Sequence, residues 1–117
     1  MVRVASIDLG SNSTRLLIAD FTNGTLTTIY KEHQVTRMAD KLSETKIISK
    51  EATKRVLKVL AGYFKTINKN NIENIQIVGT AALRDAKNSQ EIIQLIEKKF
   101  GFEVDIVSGE ELSLIHI

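Results

Sequence analysis

The first candidate for chemistry is a short polar segment near the start of the chain, Asp8-Leu9-Gly10-Ser11-Asn12-Ser13, which lies between two apolar runs. The backbone N–H groups of such a turn and the hydroxyls of Ser11, Ser13 and Thr14 can donate to phosphate oxygens, and Asp8 could hold a divalent metal or a water molecule. Gly10 can take a positive φ and lets a ligand come close to the backbone. The same residue types are common in ordinary hairpin turns, so phosphate binding and a purely structural turn are both open.

Two later polar segments also follow short apolar runs. The first is Thr80-Ala81-Ala82-Leu83-Arg84-Asp85-Ala86 and the second is Ser108-Gly109-Glu110-Glu111. In an open α/β sheet, ligands collect outside the carboxyl ends of the strands. We therefore expect these two segments to converge with the first one on a single cleft.

Charged side chains in the later segments suit phosphate chemistry. Arg84 offers a planar guanidinium that is always charged, and Thr80 offers a hydroxyl donor at a strand end. An alternative for Arg84 is a surface ion pair with Asp85 or Glu110. Glu110 and Glu111 could simply be acidic residues at the start of a helix.

The elements that must position these segments are strands and helices in alternation. Strands are predicted at 2–8, 14–21, 25–35, 75–79 and 104–107, and Asn23-Gly24 is the signal for a type I′ hairpin between the second and third. Residues 8–14 are expected to be a hairpin connection, and 36–48 a polar stretch. One helix is predicted after a Ser49 cap, and a second runs from a Ser89 or Asn88 cap to Gly101. The order β-β-β-α-β-α-β predicts an α/β fold, a mixed β-sheet with flanking helices.

Composition narrows the class of protein. The chain has 117 residues, a formal charge of +2 and basic residues spread along its length, which indicates one soluble domain and argues against nucleic acid as a specific partner. It has no cysteine, and His33 and His116 alone cannot make a zinc site. No run is apolar enough to span a membrane and residues 1–20 do not resemble a signal peptide, so we expect a cytoplasmic protein.

The three polar segments together resemble the Ppx/GppA family of exopolyphosphatases and guanosine pentaphosphate phosphohydrolases. The resemblance lies in Asp8 to Ser13 with Arg15, Gly79 to Ala86 with Asn88, and Val107 to Glu111, in the same order and with the same intervening elements. It implies one lobe, the amino-terminal one, of the actin, Hsp70 and sugar-kinase fold, which is ribonuclease H-like. A second glycine-rich phosphate turn, expected from the family's other lobe, does not occur within the 117 residues.

The resemblance also implies roles for individual residues. Asp8 would hold metal, with Mg²⁺ as the cofactor, and eight residues would lie at or near bound phosphate: Gly10, Ser11, Asn12, Ser13, Arg15, Arg37, Thr80 and Arg84. An alternative for Arg37 is a solvated loop arginine.

The end of the chain departs from the family pattern. Members usually continue Ser-Gly-x-Glu-Glu-Ala into a helix, and the second glutamate is taken as the base that activates water. Aligned without a gap, Leu112 falls on that position and Glu111 on the first glutamate, whereas a deletion of one residue would make Glu111 the base, with Glu110 the weaker choice. We therefore divide the chain into a lobe at 1–111 and a tail at 112–117 that could be foreign or the product of a truncated reading frame.

The function implied is hydrolysis of terminal phosphoanhydride bonds in polyphosphate or pppGpp by the parent protein, which could form a homodimer. The 117-residue chain alone is expected to be inactive, because it would need a carboxy-terminal lobe as partner. Two alternatives stay open. One is an ATP-dependent kinase or ATPase lobe of the same superfamily, and the other is a module that binds polyphosphate or an alarmone without turnover.

Overall fold

Five strands and four helices form the part of the chain that the structure, a computed structural model, describes, namely residues 1–72 and 74–106. The strands are β1 (Val2–Leu9), β2 (Ser13–Thr22), β3 (Thr25–Val35), β4 (Asn74–Gly79) and β5 (Val104–Ile106). The helices are α1 (Leu42–Thr45), α2 (Lys50–Lys69), α3 (Ala81–Asp85) and α4 (Ser89–Phe100).

The strands form one mixed sheet in the order β3-β2-β1-β4-β5. The first three strands make an antiparallel meander, while β4 pairs parallel with β1 and β5 pairs parallel with β4. In this register Leu9 at the end of β1 lies opposite Gly79 at the end of β4. The predicted α/β class is confirmed, and the carboxyl ends of β1 and β4 lie side by side.

Buried apolar residues alternate with half-buried ones along β1 and recur at helical spacing along α2, and together they form one apolar core. Ala5, Ile7 and Leu9 of β1 are buried, and each is separated from the next by a half-buried residue. The buried positions of α2 recur three or four residues apart, which brings them onto one face of the helix: Ala52, Val56, Leu60, Tyr63, Phe64 and Ile67. Both sets belong to the same cluster as the isoleucines of α4, so the helices hold the ends of the strands in place.

Several local sequence signals do what was predicted. Asn23 and Gly24 both have positive φ, 50° and 81°, as a type I′ hairpin requires. The Ser49 side chain accepts a hydrogen bond from the Ala52 N–H at 3.0 Å and begins α2. Gly101 ends α4 with φ 80°. These three positions were predictable because each depends on only a few neighbouring residues.

Two short helices were not predicted. The polar stretch at 36–48 contains α1, and the loop after β4 contains α3. Both are too short to show a hydrophobic period, so the sequence carries little signal for them. No helix in the described part of the chain is long and apolar enough to cross a membrane.

Candidate functional site

The turn between β1 and β2 is tighter than predicted. The expected connection at 8–14 was too wide, because Asp8 belongs to β1 and Ser13 to β2. Only residues 10–12 lie outside the strands, and the Gly10 N–H donates to the Ser13 carbonyl oxygen at 3.0 Å. The sheet therefore holds both ends of the turn.

Gly10 is needed for close approach and not for a left-handed backbone. Gly10 does not use the positive φ that glycine permits, since among the described glycines only Gly24 and Gly101 have one. A Cβ built on Gly10 would lie 2.8 Å from the Ser13 carbonyl oxygen, closer than real Cβ contacts come. A side chain at position 10 would force the turn open.

A segment at 36–48, which we call the strap, fixes the outside of this turn. The Thr36 and Arg37 N–H groups both donate to the Asn12 carbonyl oxygen, at 3.1 and 3.0 Å, and the Ala39 N–H donates to the Ser11 carbonyl oxygen at 3.0 Å. Within the described residues, the N–H groups of Ser11 and Asn12 donate to no protein acceptor. The carbonyl groups of the turn thus accept hydrogen bonds from the strap, while the N–H groups of Ser11 and Asn12 are available to an anion.

A buried polar network anchors the turn to α2. The Thr14 and Thr36 hydroxyls are 2.9 Å apart and fully buried, so each gives the other a partner. The Tyr63 hydroxyl donates to the Thr14 carbonyl oxygen at 2.7 Å. Burial, with smaller effects from Glu32 and Tyr30, raises the pKa of Tyr63 to about 12, so this hydroxyl keeps its proton and remains a donor at neutral pH.

Two side chains tie the strap to the rest of the lobe. Arg55 of α2 donates through Nε to the Thr36 carbonyl oxygen at 2.8 Å and through Nη2 to that of Arg37 at 3.3 Å. Asn88 accepts from the Ile48 N–H at 2.8 Å and donates to the Ile48 carbonyl oxygen at 2.9 Å. Asn88 occupies the N-cap position of α4, as one of the two predicted caps, but its side chain makes no capping hydrogen bond. The Asn88 side chain instead bonds to Ile48, which lies 40 residues earlier in the chain.

We expect Asn88→Ala to lower the free energy of unfolding by about 1–3 kcal/mol, because it leaves a backbone N–H and a carbonyl near the core without partners. Urea unfolding would measure the loss. Asn70→Ala is the matched control, since the Asn70 amide makes one exposed bond to the Thr66 carbonyl within its own helix end. Equal losses in the two variants would show that the bridge to Ile48 does not hold the strap.

Thr80 and Arg84 come next to the turn through the pairing of β1 with β4. The Thr80 N–H donates to the Leu9 carbonyl oxygen at 3.4 Å, and the Arg84 N–H donates to the Thr80 carbonyl oxygen at 3.0 Å in the first turn of α3. Gly79 permits this fold-back, because a Cβ there would lie 2.5 Å from Leu83 Cδ1. The structure therefore brings together the first two polar segments, as the sequence predicted.

The Arg84 side chain is half exposed and contacts Asp85, its Nε 3.4 Å from Oδ1. The surface ion pair considered as an alternative is therefore present with Asp85. Two groups that are each half exposed or more, joined by one long contact, gain little from the pair. Arg84 can thus leave Asp85 for a phosphate at small cost.

Three further predicted residues lie around the turn. Asp8 and Arg15 are directly opposite each other on β1 and β2, so their side chains are on the same face of the sheet. The Oδ1 atom of Asp8 is shielded from solvent. Arg37 is exposed, with φ 48°. The hydrogen bond from its N–H to the Asn12 carbonyl oxygen holds its backbone at the turn.

The remaining predicted residues lie outside the described part of the chain. Glu110 and Glu111, the predicted base candidates, belong to the third segment at 108–111, and the tail at 112–117 also falls there. β5, which leads to that segment, runs parallel to β4. The Thr14 hydroxyl was predicted to donate to phosphate, and this was wrong, because the residue is fully buried and its hydroxyl lies against that of Thr36. Sequence reasoning missed Arg55 and the hydroxyl of Tyr63, because the helical spacing of α2 marks them only as positions facing other elements.

A comparison with protein families matches residues 17–115 to the Ppx/GppA phosphatase family. A Vibrio cholerae relative named guanosine-5'-triphosphate,3'-diphosphate pyrophosphatase is 37% identical over 107 residues, which is 92% of this chain and 22% of that protein. The chain thus spans about a fifth of the length of that curated relative.

Solved structures show the same likeness. The Aquifex aeolicus member of the Ppx/GppA protein family is 34% identical with a TM-score of 0.89, over 94% of this chain and 36% of that one. An exopolyphosphatase from Cytophaga hutchinsonii is 27% identical with a TM-score of 0.86, over 92% of this chain and 35% of that one. The fold is thus one lobe of the actin and Hsp70 type.

Proposed function

The chain belongs to the Ppx/GppA phosphatase family, and from this premise we propose that its turn at 10–12 and Arg84 bind the terminal phosphate of a phosphoanhydride substrate. One observation carries the proposal. The parallel register of β1 and β4 puts the ends of both strands at one sheet edge, with the Thr80 N–H on the Leu9 carbonyl oxygen. This pairing brings the segments that carry the available N–H groups, the hydroxyls and Arg84 to the same edge of the sheet, which supports a shared phosphate site.

The reaction we propose for the parent protein is hydrolysis of a terminal phosphoanhydride bond in polyphosphate, pppGpp or both. The oxygen of water bonds to the terminal phosphorus, the bridging P–O bond breaks, and orthophosphate and a chain shorter by one phosphate leave. The names of the Vibrio cholerae and Cytophaga hutchinsonii relatives support these two substrates. Membership of a phosphatase family favours hydrolysis over the kinase alternative.

Positioning and electrostatics are the tasks of the described residues. The N–H groups of Ser11 and Asn12, the hydroxyls of Ser11 and Ser13, and the Arg84 guanidinium would donate to phosphate oxygens as charge builds on them. Thr80, Arg15 and Arg37 are proposed to lie close to the bound phosphates. We assign the proton-accepting role to Glu111, with Glu110 as the second choice, on the family resemblance alone.

We propose that magnesium binds this site together with substrate. Within residues 1–72 and 74–106, no three acidic or histidine side chains cluster as a metal site. Mg²⁺ is commonly held by one or two carboxylates, waters and substrate phosphates, and Asp8 supplies one carboxylate at the turn. When bound there, the ion would offset negative charge on the phosphates.

The chain covers a fraction of its relatives, so turnover is proposed for a longer protein in which a carboxy-terminal lobe faces this one. A cytoplasmic location and a homodimer of that protein stay predictions.

We predict that the 117-residue chain binds tripolyphosphate but releases no phosphate from it. Its own residues offer donors for phosphate, and the second glycine-rich turn that the family resemblance calls for is not among them. A phosphate-release assay beside calorimetry would test both halves, with a Ser11→Ala, Arg84→Ala double variant as the blank. Release above that blank would contradict the proposed division of the site.

The alternative that the protein binds polyphosphate without turnover predicts a different result for phosphate release by the longer protein. Leu112, which falls on the family's base position when the sequences are aligned without a gap, favours this alternative. Tight binding of polyphosphate with no phosphate release by the longer protein would support a module and contradict hydrolysis.

A further inference from the structure

An open cavity of about 470 Å³ lies beside the candidate phosphate turn, between the turn, the strap and α3. Its polar lining comes from Ser11, Ser43, Lys46 and Asp85, and the apolar remainder comes from Leu42 and three alanines, Ala39, Ala81 and Ala82. Ser11 belongs to both the turn and the cavity. A chain of phosphates whose terminal group rests on the turn therefore has this space next to it.

The backbone at Lys46 is held on both sides. Its N–H donates to the Leu42 carbonyl oxygen at 2.8 Å as the last bond of α1, and its carbonyl oxygen accepts from the Lys87 N–H at 2.9 Å. Asn88 fixes the strap two residues further on. The lysine side chain thus starts from a defined point at the cavity, which reduces the entropy lost when it binds an anion.

The charge of the lining suits a polyanion. Lys46 is a cation, and Ser11 and Ser43 carry hydroxyl donors. The single carboxylate among these four residues, Asp85, pairs with Arg84, which does not itself line the cavity, so Lys46 is the lining charge that has no ion-pair partner among the described residues. Phosphate oxygens are the ligands that such donors bind best.

From this geometry we infer that the cavity is a second phosphate subsite, which takes an inner phosphate of a phosphoanhydride chain, with Lys46 as its cation and Ser43 and Ser11 as donors. The inference rests on the proposed function, because it takes the terminal phosphate to sit on the turn. It adds a reason for a chain of phosphates to bind more tightly than a single one.

The test compares orthophosphate with tripolyphosphate as ligands of the 117-residue chain, by calorimetry at constant ionic strength. Lys46 has φ 66°, and Lys41, which does not line the cavity, has φ 59°. Asparagine tolerates this left-handed backbone, so Lys46→Asn and Lys41→Asn remove one charge each without new strain. Thermal melting of both variants checks that the fold is intact.

We expect the parent chain to bind tripolyphosphate more tightly than orthophosphate. Lys46→Asn should weaken tripolyphosphate binding by about fivefold or more and leave orthophosphate binding unchanged, whereas Lys41→Asn should change neither. Equal losses in the two variants, or equal affinity of the parent chain for the two ligands, would overturn the subsite and leave the turn intact. If neither ligand binds, the turn fails as a phosphate site and the proposed function fails with it.

Discussion

Replacing Arg84 with alanine in the longer protein is expected to lower kcat for phosphate release by about a hundredfold or more. The guanidinium would stabilise charge that builds up on the transferred phosphoryl group, and it is the one cation of α3. A stopped assay of orthophosphate released from polyphosphate, with kcat and KM separated, measures the effect. Binding of the ground state alone would appear in KM.

Arg3→Ala is the matched control for Arg84→Ala. Arg3 also pairs with an aspartate, and the pair is better formed, since Nε and Nη2 donate to the two Asp20 oxygens at 2.8 and 3.1 Å. These hydrogen bonds lower the pKa of Asp20. The pair lies at the opposite end of β1 from the turn, so its loss should leave kcat unchanged. If both variants keep full activity, Arg84 is only a surface ion-pairing residue.

The parts of the fold that could be predicted are those in which a few neighbouring residues decide the structure. The strands at the chain start, the Asn23-Gly24 hairpin and the Ser49 cap belong to this group. The convergence of the first two polar segments was also predictable, because it follows from the parallel pairing of their strands. The third segment, at 108–111, lies outside the described residues.

What could not be predicted depends on contacts between distant parts of the chain. The Asn88 side chain was expected at the helix start beside it, and it instead bridges to Ile48. The strap was expected to be a polar stretch, but its backbone N–H groups use the carbonyls of the turn. Composition indicates that such residues are polar, and only the packing of α2 and α4 on the sheet decides which partners they find.

Gly10 shows, at a single residue, what the sequence alone could not predict. The sequence offered a permitted positive φ and the approach of a ligand as reasons for this glycine, whereas the structure shows no positive φ there and a Ser13 carbonyl that leaves no room for a Cβ. The two explanations predict different things. A residue needed for φ could be replaced by asparagine, but a residue needed for space can be replaced by nothing larger.

We therefore expect Gly10→Ala and Gly10→Asn to be equally harmful. Each should lower the free energy of unfolding by about 1–3 kcal/mol, since an added Cβ must push the Ser13 carbonyl away and break the bond from the Gly10 N–H. The opened turn would also lose its hold on phosphate. Urea unfolding and calorimetry with tripolyphosphate on the 117-residue chain measure the two effects.

Gly62→Ala is the control, and we expect it to change the free energy of unfolding in the opposite direction. Gly62 lies inside α2, and a Cβ there would meet no atom within 4 Å, so alanine should raise the free energy of unfolding by roughly 0.5–1 kcal/mol. Phosphate binding should not change, because the site lies at the sheet edge. If Gly10→Asn is as stable as the parent chain, the explanation by lack of space is wrong. Glycine would then be needed at position 10 for its backbone freedom.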